Sequence, residues 1–153
     1  MERSYKFRLY PNREQEILIQ KTFGCVRFVY NHFLDERIQQ YSQTGKSHNR
    51  FQQSKSLTTL KNELEWLREP DKCALQEALK NLDSAYQNFF RRVKQGERLG
   101  FPRFKCKRDH RKSYKTNSNI KLFDGYVQLP KLGKVRCRIS KRVDGRILSA
   151  TVS

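Results

Sequence analysis

The sequence predicts an α+β fold: a small antiparallel sheet or barrel interrupted by an inserted bundle of helices. Three observations predict it. Apolar residues recur at gaps of three and four between residues 15 and 93, then alternate between residues 120 and 152. Turn signals, Asp124-Gly125, Leu132-Gly133 and Asp144-Gly145, punctuate the alternating part. A short alternating run at residues 5–10 cannot stand alone and most simply pairs with that distant sheet. The expected organisation is a first strand in residues 1–11, a helical insertion in 12–96, and a basic connector with the remaining strands in 97–153.

The elements follow in order. Tyr5, Phe7 and Leu9 share one face of the first strand, Lys6 and Arg8 the other, and Pro11 ends it. Asn12 and Gln15 make a capping box, so a helix starts there, with Glu14 and Glu16 suiting its dipole. It continues through Ile19, Phe23, Val26, Tyr30 and Phe33. Gly24 interrupts it at a cost of about 1 kcal/mol relative to Ala. Either one long helix packs closely at Gly24, the favoured reading, or a helix–turn–helix places Arg27, Asn31, Asp35 and Gln39 on an outer recognition face. Residues 43–56 read as a polar loop. Thr44-Gly-Lys-Ser47 lacks the earlier glycine of a phosphate loop, since position 40 is Gln40. Leu57, Leu60, Leu64 and Leu67 mark a third helix, and Pro70 suits the first position of the next. That last helix carries the strongest stripe: Leu75, Ala78, Leu79, Leu82, Tyr86, Phe89, Phe90 and Val93. Residues 120–129 read as a hairpin, Val135–Ile139 as a strand with Arg136 and Arg138 outward, and residues 147–152 as a last strand. That strand reaches Ser153 without a turn or cap, as in a chain that is cut or completed by another polypeptide.

The formal net charge is +18. Residues 1–90 carry 14 basic and 11 acidic side chains, and residues 91–153 carry 19 and 4. A net of +15 in the second part points to a polyanionic partner. Between Arg91 and Lys115 stand eleven Lys/Arg and two acids, with Phe101, Phe104 and Tyr114 among them. Arg91, Arg92, Arg103, Lys105, Lys107, Arg108, Lys112, Arg136 and Arg138 are the candidate backbone contacts. No run approaches the ~18–20 apolar residues of a membrane span, and no apolar signal core opens the chain. The expected setting is the cytoplasm, nucleoid-associated, with Cys25, Cys73, Cys106 and Cys137 as reduced thiols. Cys106 and His110 alone make a weak zinc signal. No cofactor, metal or catalytic constellation is expected: the carboxylates are spread over helix surfaces and turns, whereas metal-dependent nucleases cluster them.

Six segments in order, Tyr5–Pro11, Thr22–Asn31, Ala78–Asp83, Tyr86–Phe90, Gly100–Lys105 and Leu129–Gly133, resemble TnpB, the OrfB-type proteins of insertion sequences. That family comprises RNA-guided DNA endonucleases related to type V CRISPR effectors. The resemblance spans nearly the whole chain but only the family's N-terminal part. It implies a wedge-like, OB-like β-barrel interrupted by a helical recognition lobe. The RuvC-like nuclease domain and zinc ribbon that follow in the family are not in this sequence, so catalysis does not carry over. The implied partners are guide RNA and double-stranded target DNA, with a RuvC-containing partner or a missing C-terminal half supplying cleavage. The implied readers of the motif beside the target are Lys72, Gln76 and Ser54, an aromatic at Phe51 or a cation at Arg50, and the polar run holding Asn117 and Ser118. Gln and Lys suit adenine and guanine edges. Two rivals stand beside this reading: a guide-independent helix–turn–helix DNA-binding accessory transposase protein, and one half of a split nuclease.

Overall fold

The structure, a computed structural model, describes residues 1–46, 48–97 and 100–153. Ser47, at the end of the rejected phosphate-loop segment, Leu99, and Arg98, one of the connector's cations, lie outside the described residues. The elements run β1 (Arg8–Tyr10), α1 (Arg13–Thr44), α2 (Arg50–Glu63), a 3-10 turn (Glu65–Arg68), α3 (Lys72–Lys94), β2 (Tyr114–Thr116), β3 (Lys121–Phe123), β4 (Tyr126–Leu129), β5 (Gly133–Arg138) and β6 (Ala150–Val152). The fold is α+β.

Asn12 caps α1 as its spacing predicts: its side chain accepts from the Gln15 N–H, and the Gln15 side chain accepts from the Asn12 N–H. The helix then runs unbroken to Thr44, and Gly45 ends it in the left-handed conformation (φ 74). The turn of a helix–turn–helix is therefore absent from residues 13–44. Close packing does not explain Gly24 either. A Cβ placed there would meet only the Arg27 guanidinium, at the ordinary distance of 3.9 Å.

The polar stretch 43–56 is not a long loop. Asn49 and Gln52 form a second capping box and start α2 at Arg50. The buried Gln53 then binds α1, donating to the Phe33 carbonyl and accepting from Arg37 Nε at 2.9 Å. Arg37, buried in the helical core, also pairs with Asp83 of α3 at 3.2 Å and lies over the Tyr86 ring. One guanidinium thus joins three helices and has a partner in each neighbour, which a buried charge requires. Pro70 precedes α3 rather than entering it, because Asp71 is the cap, accepting from the Cys73 N–H at 3.1 Å. The stripe of α3 is buried from Ala74 to Tyr86 but emerges at its end, where Phe90 and Val93 are exposed.

β1 pairs antiparallel with β5, Leu9 opposite Cys137, so the three helices lie in sequence between two neighbouring strands of one sheet. That sheet has the order β1-β5-β4-β3, and β2 pairs with β6 in a separate two-stranded sheet. Neither closes into a barrel. The chain bends between β2 and β3, with Asn119 at φ 53, a conformation Asn tolerates, and β2 takes β6 as its partner instead of extending the four-stranded sheet. Tyr114, grouped above with the connector's aromatics, is a core residue of β2, 5% exposed against Phe23.

Gly24→Ala should stabilise the protein by up to about 1 kcal/mol, since helix propensity favours Ala and no neighbour is crowded. Chemical denaturation reads this; a loss of stability would restore the close-packing account.

Candidate nucleic-acid interface

The N-terminus of α3 brings distant polar residues together. Lys72 and Gln76 are exposed and one turn apart, so their side chains share a face. The Ser54 hydroxyl on α2 donates to Gln76 Oε1 at 2.9 Å, which leaves the Gln76 amide N–H groups free to face outward. Ser118 joins from the bend after β2, its hydroxyl 3.4 Å from the Cys73 thiol. Asp71 fixes that approach, since its second carboxylate oxygen accepts from the Thr116 hydroxyl. Asn117, next to Ser118, is exposed. Arg50 and Phe51 stand one turn before Ser54, the guanidinium 5.0 Å from the exposed ring. Burial first, and the Asp71 carboxylate second, push the Tyr114 phenol up to about 12.

Two cations of this cluster escaped the sequence reading. Burial lowers the Lys61 ammonium's pKa, the positive charges of Lys72 and Arg68 lower it further, and Asp71 and the Cys73 thiol oppose them, so Lys61 lies within electrostatic reach of Lys72 and Arg68. Arg68 donates to Asn62. The signal was available: Arg50, Ser54 and Lys61 follow gaps of four and seven and so share a helix face.

The connector is tied down rather than free. Asn31 of α1 donates to the Lys105 carbonyl at 2.8 Å and accepts from the Lys105 N–H at 2.7 Å. The Lys105 ammonium lies 4.5 Å from the Tyr30 ring centre, and burial there lowers its pKa against the opposing pull of Asp109. Asn31 therefore clamps the connector instead of serving an outer recognition face. Phe101 packs edge-on against Phe89 and Tyr86, yet both Phe101 and Phe104 remain exposed. Arg91 and Arg92 end α3 in solvent, and Arg103, Lys107, Arg108 and Lys112 are exposed along the connector. Arg136 and Arg138 project from the wet face of β5, in the four-stranded sheet, and are not among the residues gathered at the N-terminus of α3. Cys106 is exposed, and no group of three His, Cys, Asp or Glu able to hold a metal ion occurs among the described residues.

Removing the clamp with Asn31→Ala should cost about 1–2 kcal/mol of stability, because two backbone groups lose their partner. Hydrogen exchange at the Lys105 amide should rise with it; unchanged exchange would show that the connector is held elsewhere.

Comparison with known proteins gives this geometry a context. A family model described as a helix-turn-helix domain, of the OrfB type, matches residues 1–46, the span that holds β1 and α1. The chain is 34% identical to the "Putative RNA-guided DNA endonuclease InsQ" of Escherichia coli (strain K12), over 98% of this chain and 37% of that protein. A Streptomyces pristinaespiralis protein, "Putative RNA-guided DNA endonuclease", is 35% identical over 86% of this chain and 32% of its own length. The virulence protein VsdF of Salmonella dublin is 34% identical over 70% of this chain and 95% of its own length. The chain spans about a third of the length of the first two. With these relatives along nearly all of its length, the chain belongs to the OrfB/TnpB family of insertion-sequence proteins.

Proposed function

We propose that this chain is the nucleic-acid-binding N-terminal part of a TnpB-like RNA-guided endonuclease, holding guide RNA and reading a short duplex motif beside the target. The observation that carries the reading is the Ser54–Gln76 hydrogen bond, which locks α2 to α3 beside Lys72. A carboxamide held by its oxygen presents N–H donors, the complement of acceptors such as purine N7 in the major groove. Arg50, Phe51, Asn117 and Ser118 complete the rim of this reader. The cations of the connector and of β5 serve phosphates, which position a nucleic acid without reading it. In this reading residues 12–96 form the recognition lobe, while 1–11 and 97–153 supply the wedge-like, barrel-related part. Cleavage is the work of a RuvC-like domain on a further segment or a partner chain, and the setting is the cytoplasm near the nucleoid. No described helix is long and apolar enough to cross a membrane. The unbroken α1 weighs against a guide-independent helix–turn–helix reader within residues 1–46.

Selection from randomised duplexes, with structured guide RNA present, identifies the preferred motif. Gln76→Ala should then cost about 1–3 kcal/mol on that motif and almost nothing on a scrambled duplex. Lys107→Ala with Arg108→Ala should weaken both duplexes alike and reduce the salt dependence. Equal losses on both sequences for Gln76→Ala would refute base reading at this site.

A further inference from the structure

The outer face of the four-stranded sheet carries none of the residues of the α3 cluster and has its own order. In an antiparallel sheet, residues directly opposite one another project from the same face. Tyr10 stands opposite Arg136, Arg136 opposite Tyr126, and Tyr126 opposite Phe123. These four side chains therefore form a single row across all four strands. Their neighbours Leu9, Val135, Val127 and Leu122 alternate to the inner face. The three rings remain 47%, 44% and 38% exposed for Tyr10, Tyr126 and Phe123. Their burial in the core therefore does not account for a row of rings on the wet face.

Positive charge flanks the row on both sides. Arg8 stands opposite Arg138 on one side. Lys134 stands opposite Gln128, and Gln128 opposite Lys121, on the other. The Lys134 ammonium is 4.3 Å from the Phe123 ring centre, and the Arg8 guanidinium carbon is 6.0 Å from that of Tyr10. None of these cations forms an ion pair with a carboxylate among the described residues.

Rings offer faces to bases, and cations on either side offer charge to a phosphate backbone. Strands lie about 4.8 Å apart, so a row across four of them is about 14 Å long, the reach of two or three bases. A duplex hides its base faces in its own stack, whereas an unpaired strand exposes them, and aromatic platforms in charged grooves bind such strands. We propose that this sheet face is a stacking platform for two or three unpaired nucleotides, with Tyr10, Tyr126 and Phe123 as the stacking rings and the flanking cations on the phosphates. The platform deepens the guide-binding reading by assigning unpaired nucleotides to this face. Its rings are none of the residues assigned to base reading, and only the β5 cations serve phosphates in both, so failure of either claim leaves the other testable.

The test uses the whole chain and short oligonucleotides of one sequence, as RNA and as DNA, each carrying 2-aminopurine, whose fluorescence is quenched by stacking. Quenching on binding is expected. Tyr10→Ala, Tyr126→Ala and Phe123→Ala together should weaken single-strand binding by at least about tenfold and abolish the quench. The same variant should leave duplex affinity and the salt slope unchanged. Tyr10→Phe with Tyr126→Phe keeps the rings and should keep both affinity and quench. Lys134→Ala with Arg138→Ala should instead flatten the salt slope, by about 0.7 per lost phosphate contact. A tighter RNA arm identifies RNA as the bound strand, and a tighter DNA arm a displaced DNA strand. Retained affinity and quench in the triple alanine variant would overturn the platform, as would equal losses on single strand and duplex.

Discussion

Asp71 is the joint on which the arrangement depends. One carboxylate oxygen caps α3 through the Cys73 N–H, and the other accepts from the buried Thr116 hydroxyl of β2. The residue is itself buried, so both oxygens need these partners, since an unsatisfied buried carboxylate is costly. Asp71 thereby fixes the start of the helix that bears Lys72 and Gln76 against the strand that leads into Asn117 and Ser118. The α2 side of the cluster is fixed independently, by the Ser54–Gln76 bond and by Gln53 and Arg37 beneath it. Three separate chain segments reach one surface because two buried polar contacts leave them little freedom to go elsewhere.

The same economy governs the basic part of the chain. Its charge is dispersed over two surfaces of different character. The connector crosses α1, pinned by Asn31 and by the contact of Lys105 with Tyr30. The sheet carries its cations at fixed intervals on pleated strands, interleaved with rings. A pinned connector and a ruled sheet face cost little ordering entropy when a polyanion binds, which free basic tails must supply at that moment.

Local features were legible in the sequence and distant ones were not. The Asn12–Gln15 capping box and the Asp124-Gly125 hairpin involve neighbours in the chain, and both stand as read. The Asn49–Gln52 box obeys the same rule, yet the polarity of residues 43–56 masked the start of α2. Tyr114 sits among cations in sequence, so only the pairing of β2 with β6 reveals it as core. The Asn31 clamp joins residues 74 positions apart, which no local pattern announces. Of the candidate site, Lys72 and Gln76 came from family resemblance supported by helical spacing. The structure adds their link to Ser54, the approach of Ser118, and the neighbouring charges of Lys61 and Arg68. The expected barrel failed because pairing partners depend on where the chain bends, and Asn119 bends it away from the larger sheet.

Thr116→Val cuts the Asp71 joint beneath the proposed reader at Lys72 and Gln76. Valine fills the same buried space but removes the hydroxyl that Asp71 accepts from. The ratio of affinities for selected and scrambled duplex is measured, with stability followed alongside. A stability loss of about 1–3 kcal/mol is expected, with a clear fall in the ratio and unchanged affinity for the scrambled duplex. A variant that loses this stability yet keeps its full discrimination would show that Asp71 does not position Lys72 and Gln76 on the duplex.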